Sequence, residues 1–230
     1  VHYLNQFFAG EGGDEAAGMP LKTVDGPVRS GTLLQGILGD QGVVVGTLVC
    51  GDNYANEETE AALGAAGDAL DRFKPDVVIA GPAFNAGRYG LACGEIGKLA
   101  EGRGIKAVAA MHDENPGVAQ HRRDVYILKT GESPTEMKDA ITHLASFALK
   151  LVAGEEIGPA AEEGYAARTR KIVRSPRPVA ERAIEMLASK VNGRPFQTEI
   201  PVILPDRVAP APPIKDMSNA RIALVTTGGL

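Results

Sequence analysis

Short apolar runs alternate with amphipathic stretches from residue 2 to residue 154, and that alternation is the tightest constraint on what the chain can fold into. The runs His2–Phe8, Val43–Cys50, Asp76–Gly81, Ile105–Met111 and Asp124–Leu128 read as strands. Val43–Cys50 is rich in valine and continuously apolar, as expected of a strand covered on both faces. Between the strands lie helical patterns. Leu33, Leu34, Ile37 and Leu38 predict a helix over Val28–Leu38. Asn56 reads as an N-cap, with Glu57 and Glu58 at the positive end of the dipole; Leu63, Ala66, Leu70 and Phe73 follow at helical spacing, and Pro75 stops the run. A third helix spans about Gly90–Glu101. A fourth opens on the capping box Ser133-Pro134-Thr135-Glu136, buries Met137, Ile141, Leu144, Ala148 and Leu151, and ends at Gly154. The expected fold is α/β: a doubly wound, mostly parallel five-stranded sheet in a flavodoxin-like three-layer sandwich.

From Glu155 the pattern changes. One amphipathic helix is predicted at Val179–Val191, with Ala183, Met186, Leu187 and Val191 on its buried side, amid proline-rich chain at 175–178 and 201–213. The last residues, Ala220–Gly229, read as a buried strand entering a glycine turn. A lone strand needs a sheet, so it either joins the first sheet or begins a second α/β domain; the second reading is adopted here. The expected organisation is a substrate-recognition domain at 1–155, a proline-rich connection with one helix at 156–217, and the first strand of a truncated second domain at 218–230.

Composition narrows the partners. The net charge is -5 and no Lys/Arg cluster stands out, which argues against nucleic acid or an anionic membrane surface as partner. No apolar run approaches the roughly 18 residues of a membrane span. No signal peptide precedes the first strand, and the chain has only two cysteines, Cys50 and Cys93. Both points fit a reducing, cytoplasmic setting.

Ligands of open parallel sheets bind beyond the carboxyl ends of the strands. There this chain places Asn5 and Gln6, then Asp52, then Asn85, Arg88 and Tyr89, then His112, Glu114 and Asn115. Arg88 sits in a glycine-flanked loop, where a fixed guanidinium could clamp a carboxylate; a structural ion pair is the competing reading. Gly12-Gly13 lacks the pattern of a nucleotide loop and reads as a turn. His112 with Asp113 and Glu114 has no partner at metal-ligand spacing, so no metal is expected. Cys50 ends a buried strand and Cys93 lies in the first turn of a predicted helix, where a thiol pKa can fall; each is either a packed core residue or a reactive thiol. The chain holds no G-x-S-x-G, H-E-x-x-H or C-x-x-C motif, so no catalytic residue is expected within it.

The same loops carry a family resemblance. Val1–Gly10 (VHYLNQFFAG), Cys50–Tyr54 (CGDNY), Ala80–Gly94 (AGPAFNAGRYGLACG) and Glu114–Val118 (ENPGV) resemble selenoprotein B of the glycine/sarcosine/betaine reductases. Gly154–Gly158, Glu163–Tyr165, Asp206–Val208 and Ala223–Gly229 continue the match. The resemblance implies a component of an oxidoreductase that cleaves the C–N bond of glycine or an N-methylated glycine reductively, in an oligomeric complex. It implies a partner subunit whose pyruvoyl group holds glycine as a Schiff base, a selenolate or thiolate that attacks the α-carbon, a small selenoprotein A that accepts the carboxymethyl group, and a component that releases acetyl phosphate. In the family the selenocysteine lies in a later cysteine-rich segment. No residue of this chain matches it, so the implied roles here are substrate recognition and subunit contacts, with no cofactor bound by this chain and the fragment alone inactive. Two alternatives stand beside this reading: a catalytically silent α/β domain that binds small carboxylates or regulates, and a racemase-like enzyme using Cys50 and Cys93 as acid and base.

Overall fold

The computed structural model describes residues 1–168, 176–196, 213–215, 217–221 and 223. The chain separates into two compact units, Val1–Lys171 and Ile172–Leu230. In order, the first unit contains β1 (His2–Asn5), α1 (Gln6–Ala9), β2 (Lys22–Asp25), α2 (Ser30–Leu38), β3 (Gly46–Cys50), α3 (Asp52–Glu57), α4 (Thr59–Phe73), β4 (Val77–Ala80), α5 (Gly87–Gly102), β5 (Lys106–His112), α6 (Pro116–His121), β6 (Tyr126–Thr130), α7 (Met137–Ala153) and α8 (Ala160–Glu163). The second unit contains α9 (Val179–Val191).

The six strands form one sheet in the order β2-β3-β1-β4-β5-β6. All pairs are parallel except β2–β3, which is antiparallel, with Lys22 opposite Val49 and Asp25 opposite Gly46. The five-stranded expectation missed β2: a four-residue, half-exposed edge strand carries no run of apolar residues to betray it. The sheet is covered on both faces, and residues of its strands alternate between the two cores, as the period of two requires. Val78, Ala80, Ala107, Ala109 and Met111 pack with residues of α4 and α5, while Ile79, Val108 and Ala110 pack with residues of α2 and α7. This is the three-layer α/β arrangement.

Element ends moved where side chains claimed backbone groups. Strand one stops at Asn5, whose Oδ1 accepts the Phe8 amide at 2.9 Å and starts α1. The capping box at Ser133 is only half made. Ser133 accepts from Thr135, but Glu136 turns to the Gly131 amide, so the segment begins as a 3-10 turn before α7. Gly154 takes the left-handed conformation that ends α7, as its position implied.

The first unit reaches past the expected boundary at 155. Lys129 donates its amide to Gly164 at 2.9 Å, Ala166 donates to Ile127 at 2.7 Å, and Tyr165 joins Tyr126 and Phe147 in an aromatic cluster, so this segment is held against β6. In the second unit, α9 forms where its spacing predicts, but its apolar side is not buried: Leu187 is 56% and Val191 77% exposed. The predicted final strand and most of the proline-rich chain lie outside the described residues.

Candidate functional site

The carboxyl ends of β1, β3, β4 and β5 form one rim, and the order of the strands places the switch of direction at β1, between β3 and β4. Three of the expected polar residues meet there. Asp52 Oδ2 accepts from Asn5 Nδ2 at 2.9 Å and from Gln6 Nε2 at 3.4 Å, and the Asp52 amide donates to Gln6 Oε1 at 3.0 Å. Burial pushes the Asp52 carboxyl up from the usual carboxylate range, against the Asn5 and Gln6 hydrogen bonds and the nearby Arg88 charge, which favour ionisation. Its Oδ1 is buried without a partner. Arg88, exposed in the first turn of α5, donates to Asn53 Oδ1, while Asn56 donates to the Arg88 carbonyl at 3.0 Å. The guanidinium thus ties α5 to α3 through a neutral amide, not through the ion pair that was the alternative to a clamp. Asn85 is exposed beside it.

Other expected residues lie behind the rim. Tyr89 is fully buried, its hydroxyl donating to the Tyr3 carbonyl at 3.3 Å, so its ring belongs to the core. Asn115 is also buried and every group of its carboxamide is used: Nδ2 donates to the Phe84 and Ala86 carbonyls, both at 3.0 Å, and Oδ1 accepts from Gly117 at 3.0 Å. It braces the β4–α5 loop, in which Phe84 holds a positive φ of 48° that bulky residues rarely adopt.

Three glycines of α5, two of them in the long motif, have a packing explanation too. A Cβ on Gly90 would lie 2.0 Å from Asn115 Oδ1, one on Gly94 would lie 2.1 Å from His121 Cδ2, and one on Gly97 would lie 2.8 Å from Val125 Cγ2. These positions recur every three or four residues along α5 and form a bare stripe onto which α6 and its flanks pack.

The two thiols are core residues. Cys50 and Cys93 are both 0% exposed. Burial pushes Cys50 up to about 12 and Cys93 well above its ordinary value. Cys93 is not in the first turn of α5, which begins at Gly87, so no helix end lowers its pKa. Burial thus favours the packed-core alternative for both residues over a reactive thiol or a racemase-like pair.

At the far edge, His112 ends β5 opposite Thr130. Its ring, Glu114 and Glu132 bring ligand atoms within 4.8 Å of one another, a donor set compatible with a divalent cation. However, His112 Nδ1 accepts from the Glu114 amide at 3.3 Å, which takes one nitrogen, and both carboxylates are exposed. The group forms an acidic border to the rim.

Sequence reasoning passed over His2, the first residue of β1. His2 is wholly buried, with Nε2 donating to the Gly81 carbonyl at 2.7 Å across β1 and β4. Burial holds its pKa down to about 4, so the ring is neutral. A polar residue inside a strand covered on both faces was the one signal available.

Comparison with known proteins places the chain in a family. The family model for glycine/sarcosine/betaine reductase selenoprotein B matches residues 1–230. The chain belongs to that family. It is 48% identical over 233 residues to the glycine reductase complex component B subunit gamma of Carboxydothermus hydrogenoformans. It is 44% identical over 234 residues to the sarcosine reductase complex component B subunit beta of Peptoclostridium acidaminophilum, and 40% identical over 234 residues to the betaine reductase complex component B subunit beta of the same organism. Each match takes in 100% of this chain and 53% of the relative, so the chain spans about half the length of these relatives. No solved structure matches. Among the described residues, no helix is long and apolar enough to cross a membrane.

Proposed function

We propose that this selenoprotein B-family chain serves a reductase complex acting on glycine, sarcosine or betaine, and that its share of the work is to hold the small zwitterionic substrate at the rim of the sheet and to contact partner subunits. The observation that carries this reading is the coincidence of family and geometry. Four of the segments resembling the family, at 1–10, 50–54, 80–94 and 114–118, build the rim and its braces. The reaction needs a nucleophile, and burial, which pushes both thiols of this chain up from their ordinary pKa, supports an attacking selenolate or thiolate supplied from elsewhere in the complex. The pyruvoyl subunit, selenoprotein A and the acetyl-phosphate-forming component are partners proposed on the same ground. Asn85, Arg88, His112 and Glu114 are the exposed or half-exposed polar side chains available to a rim ligand, with Asn5, Gln6 and Asp52 fixing the floor.

The test is reconstitution. The polypeptide carrying this chain, combined with the other components and a dithiol reductant, is assayed for release of ammonia, methylamine and trimethylamine from the three substrates. Release of one amine in preference to the others is expected; release of none from a complete, assembled complex would refute the proposal.

A further inference from the structure

Two loops meet at the far edge of the rim. Strands β5 and β6 run parallel with His112 opposite Thr130, so the residues that follow each strand leave the sheet side by side. Glu114 lies two residues past the end of β5 and Glu132 two residues past the end of β6. Both loops are tethered. The His112 amide donates to the Phe84 carbonyl and the Asn115 amide to the His112 carbonyl, each at 2.9 Å. The Gly131 amide donates to Glu136 Oε2 at 3.1 Å, and a Cβ on Gly131 would lie 2.0 Å from Glu136 Oε1, so the bare glycine leaves that carboxylate its place. Lys129 and Asp113 close an ion pair of 2.9 Å across the two strand ends.

The tethers bring three metal-ligating side chains together. One ligand atom each from the His112 ring, Glu114 and Glu132 lies within 4.8 Å of the other two. Atoms that share one ion at about 2.1 Å stand about 3.0–3.5 Å apart, so rotating the two exposed glutamates through less than about 2 Å completes the set. The charges there call for a cation. Glu114 and Glu132 have no ion-pair partner among the described residues, and Lys129, the base beside them, is engaged by Asp113. Two like charges therefore stand close together without a counter-charge. The half-buried imidazole has a lone pair to offer. His112 Nδ1 accepts from the Glu114 amide at 3.3 Å, longer than the usual range of about 2.7–3.2 Å, so an ion bound at that nitrogen would replace only a weak contact.

We infer that His112, Glu114 and Glu132 bind one divalent transition-metal ion at the β5–β6 end of the rim. The donors set its class. Magnesium and calcium prefer oxygen ligands throughout, and a soft ion would want a thiolate; an imidazole with two carboxylates suits manganese, iron(II) or zinc. Three protein ligands leave further positions for water or for a carboxylate oxygen of a small ligand. The inference goes beyond the proposed function and does not depend on it. Spacing hid the site. Glu132 is 20 positions from His112, and only the pairing of β5 with β6 sets them together, so residues 112–114 read alone gave no metal.

The experiment is titration of manganese(II) into the metal-stripped full polypeptide carrying this chain, followed by electron paramagnetic resonance at physiological salt. Manganese is the probe because it favours nitrogen and oxygen donors over thiolates. The variants are His112→Ala, Glu132→Gln and Glu136→Gln. Glu132 is exposed, so Glu132→Gln is expected to melt with the parent and keeps the test decisive should His112→Ala fold poorly. The parent is expected to bind manganese below about 100 μM with hyperfine coupling to an imidazole nitrogen. That coupling is expected to vanish in His112→Ala, and affinity to fall at least about tenfold in Glu132→Gln. Glu136→Gln removes a neighbouring charge yet keeps an acceptor for the Gly131 amide, and is expected to weaken binding less than about threefold. Equal weakening by Glu136→Gln and Glu132→Gln would reduce the effect to counter-ion attraction and overturn the site. Binding untouched by His112→Ala and Glu132→Gln overturns it too, as does no binding at about 1 mM manganese.

Discussion

Replacing Gly90 by alanine sets helix propensity against packing. Position 90 lies inside the 16-residue helix α5, where alanine is favoured over glycine by about 0.5–1 kcal/mol. Yet the new methyl would stand 2.0 Å from Asn115 Oδ1 and 2.4 Å from both Cγ and Nδ2 of the same residue. Gly117 crowds from the same side, a Cβ there lying 2.5 Å from the Gly90 carbonyl oxygen, so the contact has little room to relax. Asn115 must move, and it holds three hydrogen bonds of 3.0 Å that join α6 to the β4–α5 loop. At about 1 kcal/mol each, losing them costs roughly 3 kcal/mol, and the propensity gain returns less than 1. The net expectation is a loss of about 2 kcal/mol, or about 4–8 °C in melting temperature for a unit of this size. Gly64 in α4 is the control, because a Cβ there meets nothing within 4 Å. Gly64→Ala should therefore stabilise by about 0.5–1 kcal/mol. Urea denaturation of both variants decides the matter: a Gly90→Ala protein as stable as Gly64→Ala, with an unchanged m-value, would show that the glycine stripe is not a packing requirement.

Two further outcomes follow from buried groups. His2 titrates at about 4 in the folded chain, below its ordinary 6.5, so the unfolded chain binds the extra proton. Its contribution to stability is complete above pH 6.5 and is lost as the pH falls toward 4, by roughly 3 kcal/mol in all. A His2→Gln variant, which keeps a donor for the Gly81 carbonyl, should show a flatter fall in stability over that window; equal slopes in the two proteins would refute the protonation argument. The thiols give the second outcome. Cys50 and Cys93 should resist iodoacetamide at pH 8 in the native protein and both should react once it is unfolded, as read by intact mass; prompt native labelling of either would contradict their burial.

Much of the fold was legible because periodicity is a local property. The continuous run before Cys50, the helical spacing from Leu63 to Phe73 and the glycine at 154 each report their own environment through a handful of neighbouring residues. Strand β2 escaped because a half-exposed edge needs no apolar pattern, and α1 escaped because four residues carry no period. The rim was legible in outline, since strand ends in a parallel sheet share one side and polar residues mark them.

The sequence by itself determined the class of the fold, the identity of the family segments and the clustering of Asn5, Gln6 and Asp52. What each polar residue does was decided only by tertiary structure. Asn115 and Tyr89 looked like ligand contacts and became a brace and a core ring. Arg88 became a tie between helices, and Cys93 was silenced by burial. The same folding left Ser30 Oγ and His2 Nδ1 buried without a hydrogen-bond partner, which no motif had marked. The physical reason is that hydrogen bonding and desolvation depend on which distant groups come within about 3 Å, and residues 31, 35 and 79 positions apart meet only after the sheet is assembled.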